Sequence, residues 1–173
     1  MYKNLNFIKD IFHNHFELSV AASSTSIVLL AIAMDRIFFL QACPLCILTR
    51  YVFVLLALSA LTSMIIKKKV LGRLLIMVSA SLGLLVTSRQ IYIQSMSLED
   101  ISQLSGCSMP FHTQVEYFGL IEAINKTLAG GPSCAEDGWR FLFNFAEWGF
   151  IFFLIYLVST ILKLRKSYNP YFL

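Results

Sequence analysis

The chain has 173 residues, 57% of them hydrophobic and only 14% charged, with a formal net charge of +4 and a mean hydropathy of +0.70. A soluble domain of this length carries about a quarter charged residues, so too few polar side chains are present to coat a water-facing surface, and an integral membrane protein is expected. The length suits one compact unit with little left for a separate soluble domain, and the modest positive charge is not read as nucleic-acid affinity.

In chain order, Leu5, Ile8, Phe12 and Phe16 have the spacing of an interfacial helix. A first apolar span, about 18–40, is uncharged as far as Met34 and lacks a small-residue cleavage pattern at its far end, so it reads as a retained anchor. A second, about 46–66 with Cys43 leading into it, is interrupted only by Arg50. A third, about 72–93, meets Arg89 near its end, and a fourth, about 142–162, contains Glu147. Each is close to the ~20 residues a helix needs to cross ~30 Å of hydrocarbon. The expected fold class is therefore an all-α membrane protein: a single four-transmembrane-helix bundle with one long loop, about 94–141.

Basic residues predict its direction. The segment Lys67-Lys68-Lys69-Val70-Leu71-Gly72-Arg73 carries four positive charges and no acid; Lys163, Arg165 and Lys166 follow the last span, and Lys3 and Lys9 precede the first. By the positive-inside rule these segments and both termini are cytoplasmic. All four cysteines then fall outside, Cys43 and Cys46 at a short turn and Cys107 and Cys134 in the long loop, which points to disulfides in an oxidising compartment. Within the loop, Phe111, Val115, Phe118, Ile121, Ile124 and Leu128 recur at helical steps until Gly130-Gly131-Pro132 stops them. That pattern fits a short amphipathic interfacial helix, or equally one packed on the bundle.

The turn "CPLC" has its own logic. With Cys43 at the N-cap and Pro44 at the first helical position, Cys46 lies in the first turn, where the positive end of the helix dipole favours a thiolate. Arg50 sits one turn further on the same face. Such a pair suits disulfide exchange or electron donation. The blander readings are a structural staple, although so small a ring removes little unfolded-state entropy, and a zinc site, although tetrathiolate sites use two closely spaced pairs; no metal is expected. Asp35, Arg36, Arg50, Arg89 and Glu147 all fall near the outer span ends. Snorkelling explains Arg36, whereas Arg50 and Arg89 could stabilise a partly reduced, anionic quinone. Asp35 is expected to pair with Arg36, and Glu147 with one of the arginines. His13, His15 and His112 read as surface residues.

Four spans, "CPLCILTR" opening the second, "TSRQIYIQ" closing the third and "CAEDGWRFLF" leading to "EW" in the fourth resemble the family of disulfide-bond formation protein B (DsbB), bacterial inner-membrane thiol oxidases. The resemblance covers about residues 18 to 162. It implies that Cys107 is attacked by the reduced thiol of a periplasmic DsbA-like thioredoxin-fold oxidase, with Cys134 as its resolving partner, and that Cys43 then exchanges with Cys134. It also implies that Cys46 donates to a bound quinone, ubiquinone or menaquinone, with Arg50 and Arg89 beside it, and that the long loop is periplasmic. Exchange is driven by differences in reduction potential, so an oxidising disulfide needs an outside electron sink. The competing readings are a relative of the vitamin K epoxide reductases, disfavoured by the reversed order of its cysteine pairs, a DsbB paralogue dedicated to one client, and a non-enzymatic four-span protein held by structural disulfides.

Overall fold

The computed structural model describes residues 16–39, 42–65, 69–104, 109–135 and 140–168. Cys107, the N-terminal stretch around Leu5 to Phe12, and Trp139 lie outside them. Four long helices are apolar enough to cross a membrane: α1 (Phe16–Phe38), α2 (Pro44–Ile65), α3 (Lys69–Gln94) and α8 (Phe145–Tyr168). At 1.5 Å per residue even α2, with 22 residues, reaches about 33 Å. Between α3 and α8 run the short helices α4 (Leu98–Ser102), α5 (Phe111–Phe118), α6 (Leu120–Ala129) and α7 (Pro132–Ala135), then a two-residue antiparallel pair, β1 (Arg140–Phe141) and β2 (Phe143–Asn144). The all-α bundle expected from the sequence is the fold, with this small hairpin added.

The bundle's outer face is as apolar as its interior, and several hydroxyl residues are buried between the helices. Leu29, Leu30, Leu58, Leu85 and Val158 are exposed on its outside, whereas Ser24, Ser59, Thr87 and Thr160 are buried. Lipid gives apolar side chains no reason to turn inward, so small residues that let backbones approach occupy the contacts. Ser59 of α2 and Ser79 of α3 share a hydrogen bond at 3.0 Å. A Cβ on Gly83 of α3 would stand 2.4 Å from the Phe153 ring of α8, and Phe153 in turn stacks on Phe53 of α2 with centroids 4.1 Å apart. The helices therefore pack α1 on α2, α2 on α3 and α3 on α8.

The last seam, between α8 and α1, is tied by the Tyr156 hydroxyl donating to Ser23 Oγ at 2.8 Å. Nearby, at the basic end, Arg73 pairs with Glu17 at 3.3 Å and also donates to the Lys163 carbonyl. The opposite end carries Cys43, Cys46 and Cys134. There the seam widens into a cavity.

The loop stripe does not form one helix. Gly119 adopts φ 80° and divides it into α5 and α6, and Gly130 at φ 81° ends α6. The two fold back so that Gln114 and Thr127, both buried, face each other at 3.4 Å. Phe111 is buried against the Tyr51 ring of α2, while Tyr117, Phe118, Leu120 and Ile121 at the tip stay exposed. The base of the segment therefore packs on the bundle, and its tip presents exposed apolar residues.

Candidate active site

Helix α2 begins at Pro44, and Cys43 serves as its N-cap. The Cys43 carbonyl accepts from the Ile47 N–H at 3.1 Å, and its Sγ accepts from the Cys46 N–H at 3.2 Å. A sulfur thus stands where a serine or aspartate oxygen ordinarily satisfies an unpaired helix N–H. The same geometry brings Cys43 Sγ to 2.8 Å from Cys46 Sγ.

Cys134 arrives from the other direction. It lies in α7, is 1% exposed, and its sulfur is hydrogen-bonded to Cys43. Donation from the Cys43 thiol is the main reason the Cys134 thiol is lowered from 9.0 to about 6, helped by backbone groups of Leu45 and Gly131 and by the Ser133 side chain, against the opposing effect of burial. Cys43 is pushed the opposite way, because its proton is shared with Cys134 and then Cys46. Cys43 is therefore the junction at which three sulfurs meet.

Cys46, half-buried, opens onto a cavity of about 290 Å³. Its floor is polar: Cys43, Cys46, Asp35, Arg50 and Gln90. Its walls are Ile27, Leu30, Met34, Phe53, Trp148 and Phe152, drawn from α1, α2 and α8, so the cavity lies at the α1–α8 seam. The Arg50 guanidinium forks onto Asp35 at 2.5 and 2.9 Å, and each side chain is 20% exposed. Pairing keeps both charges tolerable at this depth. Gln90 Nε2 lies 3.0 Å from Cys46 Sγ.

A sequence model described as "Disulfide bond formation protein DsbB" matches residues 13–162. The chain belongs to the DsbB family. Relatives named disulfide bond formation protein B include that of Marinobacter nauticus, 31% identical over 149 residues that span 82% of this chain and 87% of that protein. The protein of Albidiferax ferrireducens is 34% identical over 73% of this chain and 74% of its own length, and disulfide bond formation protein B 1 of Pseudomonas aeruginosa is 29% identical over 79% and 86%. Membership makes this chain a multi-pass membrane protein and a disulfide-generating oxidoreductase, and the non-enzymatic reading gives way.

Against this DsbB fold, two expected pairings are corrected. Asp35 pairs with Arg50 and not with its exposed neighbour Arg36, because adjacent residues on a helix diverge by about 100° whereas Arg50 faces α1 across the cavity. Glu147 joins a capping box: it accepts from the Asn144 N–H at 2.8 Å, and its own N–H donates to Asn144 Oδ1 at 2.9 Å. Helix α8 starts at Phe145, so Glu147 occupies its first turn, where it satisfies the Asn144 N–H while Asn144 satisfies its own.

Arg89 does not line the cavity beside Arg50. Its Nε and Nη2 donate to the carbonyls of Leu128 and Ala129 at 3.0 and 3.1 Å, a cation closing the C-terminus of α6. Sequence reasoning assigned no role to Gln90, Gln94 or Asn144, although Gln94 accepts from Asn144 Nδ2 at 3.0 Å at the cavity rim. Two glutamines four residues apart in an apolar span share one helix face, and that spacing was the available signal.

Proposed function

We propose that this DsbB reoxidises a periplasmic DsbA-like thioredoxin-fold protein and passes the electrons to a membrane quinone, ubiquinone or menaquinone. The observation that carries the reading is the junction at Cys43: one sulfur touches both the loop cysteine Cys134 and the cavity-facing Cys46. The relay begins when a partner thiolate attacks Cys107, breaking a Cys107–Cys134 disulfide and releasing Cys134 as a thiolate. The partner's second thiolate then closes its own disulfide and frees Cys107. Cys134 attacks Cys43 of a Cys43–Cys46 disulfide, and Cys46 leaves as a thiolate facing the cavity. Each exchange forms one S–S bond and breaks one. Cys107 then attacks Cys134 of the Cys43–Cys134 disulfide, re-forming Cys107–Cys134 and freeing Cys43. The Cys43–Cys46 dithiol would close again by giving its two electrons and two protons to a quinone, so that in sum a partner dithiol and a quinone give a partner disulfide and a quinol.

The residues around the cavity suit a quinone. A polar floor can hold ring oxygens, and an apolar seam toward lipid can take the tail. When bound, the quinone supplies the two-electron sink. Arg50 cannot deliver a proton, but two of its five donors are committed to Asp35, leaving others for a ring oxygen. Asp35, Cys43, Cys46 and Gln90 complete the floor. Arg89 takes the part of a loop anchor, and the basic segments support a bacterial inner-membrane placement with both termini cytoplasmic.

The test uses protein purified into nanodiscs with a reduced thioredoxin-fold partner. Partner oxidation is expected only when quinone is supplied, and Cys46→Ser should abolish it. Quinone-dependent oxidation surviving in Cys46→Ser would remove Cys46 from the electron path.

A further inference from the structure

One buried polar side chain of the cavity floor has no step of its own in that relay. Gln90 is 2% exposed in α3, with Nε2 3.0 Å from Cys46 Sγ and 3.7 Å from Cys43 Sγ. A carboxamide inside a membrane is costly unless hydrogen-bonded, and here its N–H is spent on the sulfur that opens to the cavity. Donation to a charged acceptor is roughly twice as strong as donation to a neutral one, so this contact favours thiolate over thiol. The Cys43 thiol donates to the same sulfur. The single Cys43 proton is shared with Cys134, so Gln90 is the neutral donor committed to Cys46, and Cys43 receives only its longer contact.

We propose that Gln90 is a catalytic residue of the quinone step: its carboxamide N–H holds negative charge on Cys46, so that Cys46 and not Cys43 is the thiolate presented to the acceptor. The proposal deepens the relay reading and rests on it. The cation nearest the cavity, Arg50, is already neutralised by Asp35, which makes an uncharged donor the source of selectivity between the two sulfurs. Among the described residues, the charged and titratable groups around Cys46 are Cys43, Cys134, Arg50 and Asp35. Gln90 itself has no proton to lose, so its contribution persists across the pH range.

The test needs neither quinone nor partner. Full-length protein carrying Cys107→Ser and Cys134→Ser is reduced in nanodiscs, and the rate of Cys46 alkylation by iodoacetamide is followed by peptide mass spectrometry from pH 5 to 10. Gln90→Met removes the donor at similar volume and is expected to slow Cys46 alkylation about tenfold at pH values where the thiol form predominates. Gln90→His retains a ring N–H and should restore most of the rate. If Gln90→Met unfolds, Gln90→Asn, one methylene too short to reach, is expected to give the same slowing. A parent-like profile in either folded variant overturns the proposal. Parent protein that fails to use quinone overturns the relay instead and leaves the alkylation profile as a separate result.

Discussion

Cys134 owes its chemistry to what surrounds one sulfur. In the reduced protein, where Cys43 carries its proton, donation from Cys43 outweighs burial and brings the Cys134 thiol to about 6, so that sulfur is thiolate near neutral pH. The folded value lies below the free thiol's, so the reactive form is present above about pH 6 and lost as pH falls through it. In reduced protein, Cys134 alkylation relative to the intrinsic thiolate rate should be nearly level between pH 7 and 9 and drop about tenfold per unit below pH 6. Cys43→Ala, which removes the largest cause, should move the midpoint back toward 9.0. A midpoint near 9.0 in the parent would contradict this account. At the same scale, Asp35 and Glu147 show the limits of a linear reading. Both were recognisable as acids near span ends, but partner choice depends on which helix faces them. Glu147 also needed the start of α8, which "FLFNFAEW" disguises because its apolar run begins before the helix does.

At the scale of elements, the loop reaches the bundle through a few contacts. Arg89 of α3 holds the last carbonyls of α6, and Gly130, Gly131 and Pro132 then carry the chain into α7 and Cys134. A Cβ on Gly130 would stand 2.3 Å from Ile93, so this glycine supplies both the positive φ and the close approach. Arg89→Gln is therefore expected to slow Cys134–Cys43 exchange about tenfold, a value scaled down from two charge-assisted bonds because Arg89 is only partly buried. Rapid-quench trapping of the mixed disulfide measures it. Quinol formation from a pre-reduced Cys43–Cys46 pair should keep its rate; loss of that rate would return Arg89 to the quinone site.

For the whole molecule, the basic end and the cysteine end are separated by the full length of the bundle, and the positive-inside rule assigns them to opposite sides of the membrane. With the native cysteines replaced, Glu116→Cys on exposed α5 should react with a membrane-impermeant maleimide in cells whose outer barrier is opened. Arg165→Cys at the end of α8 should react only after the inner membrane is permeabilised. Labelling in the reverse order would invert the topology and remove the relay from the periplasm.

The sequence by itself determined that this is a four-span membrane protein with a Cys-Pro-Leu-Cys turn opening its second span. Span length, charge asymmetry and the Cys-Pro-Leu-Cys helix start are local properties, each written in consecutive residues. The family resemblance implied that Cys43 exchanges with Cys134, and the tertiary structure alone decided that Asp35 neutralises Arg50, that Arg89 anchors the loop, and that Gln90 reaches Cys46. Those relations join residues up to 91 positions apart, Cys43 to Cys134. Side-chain chemistry can be read along a chain, but which groups meet is set by how helices pack, and in this bundle that depends on small contacts such as Gly83 against Phe153.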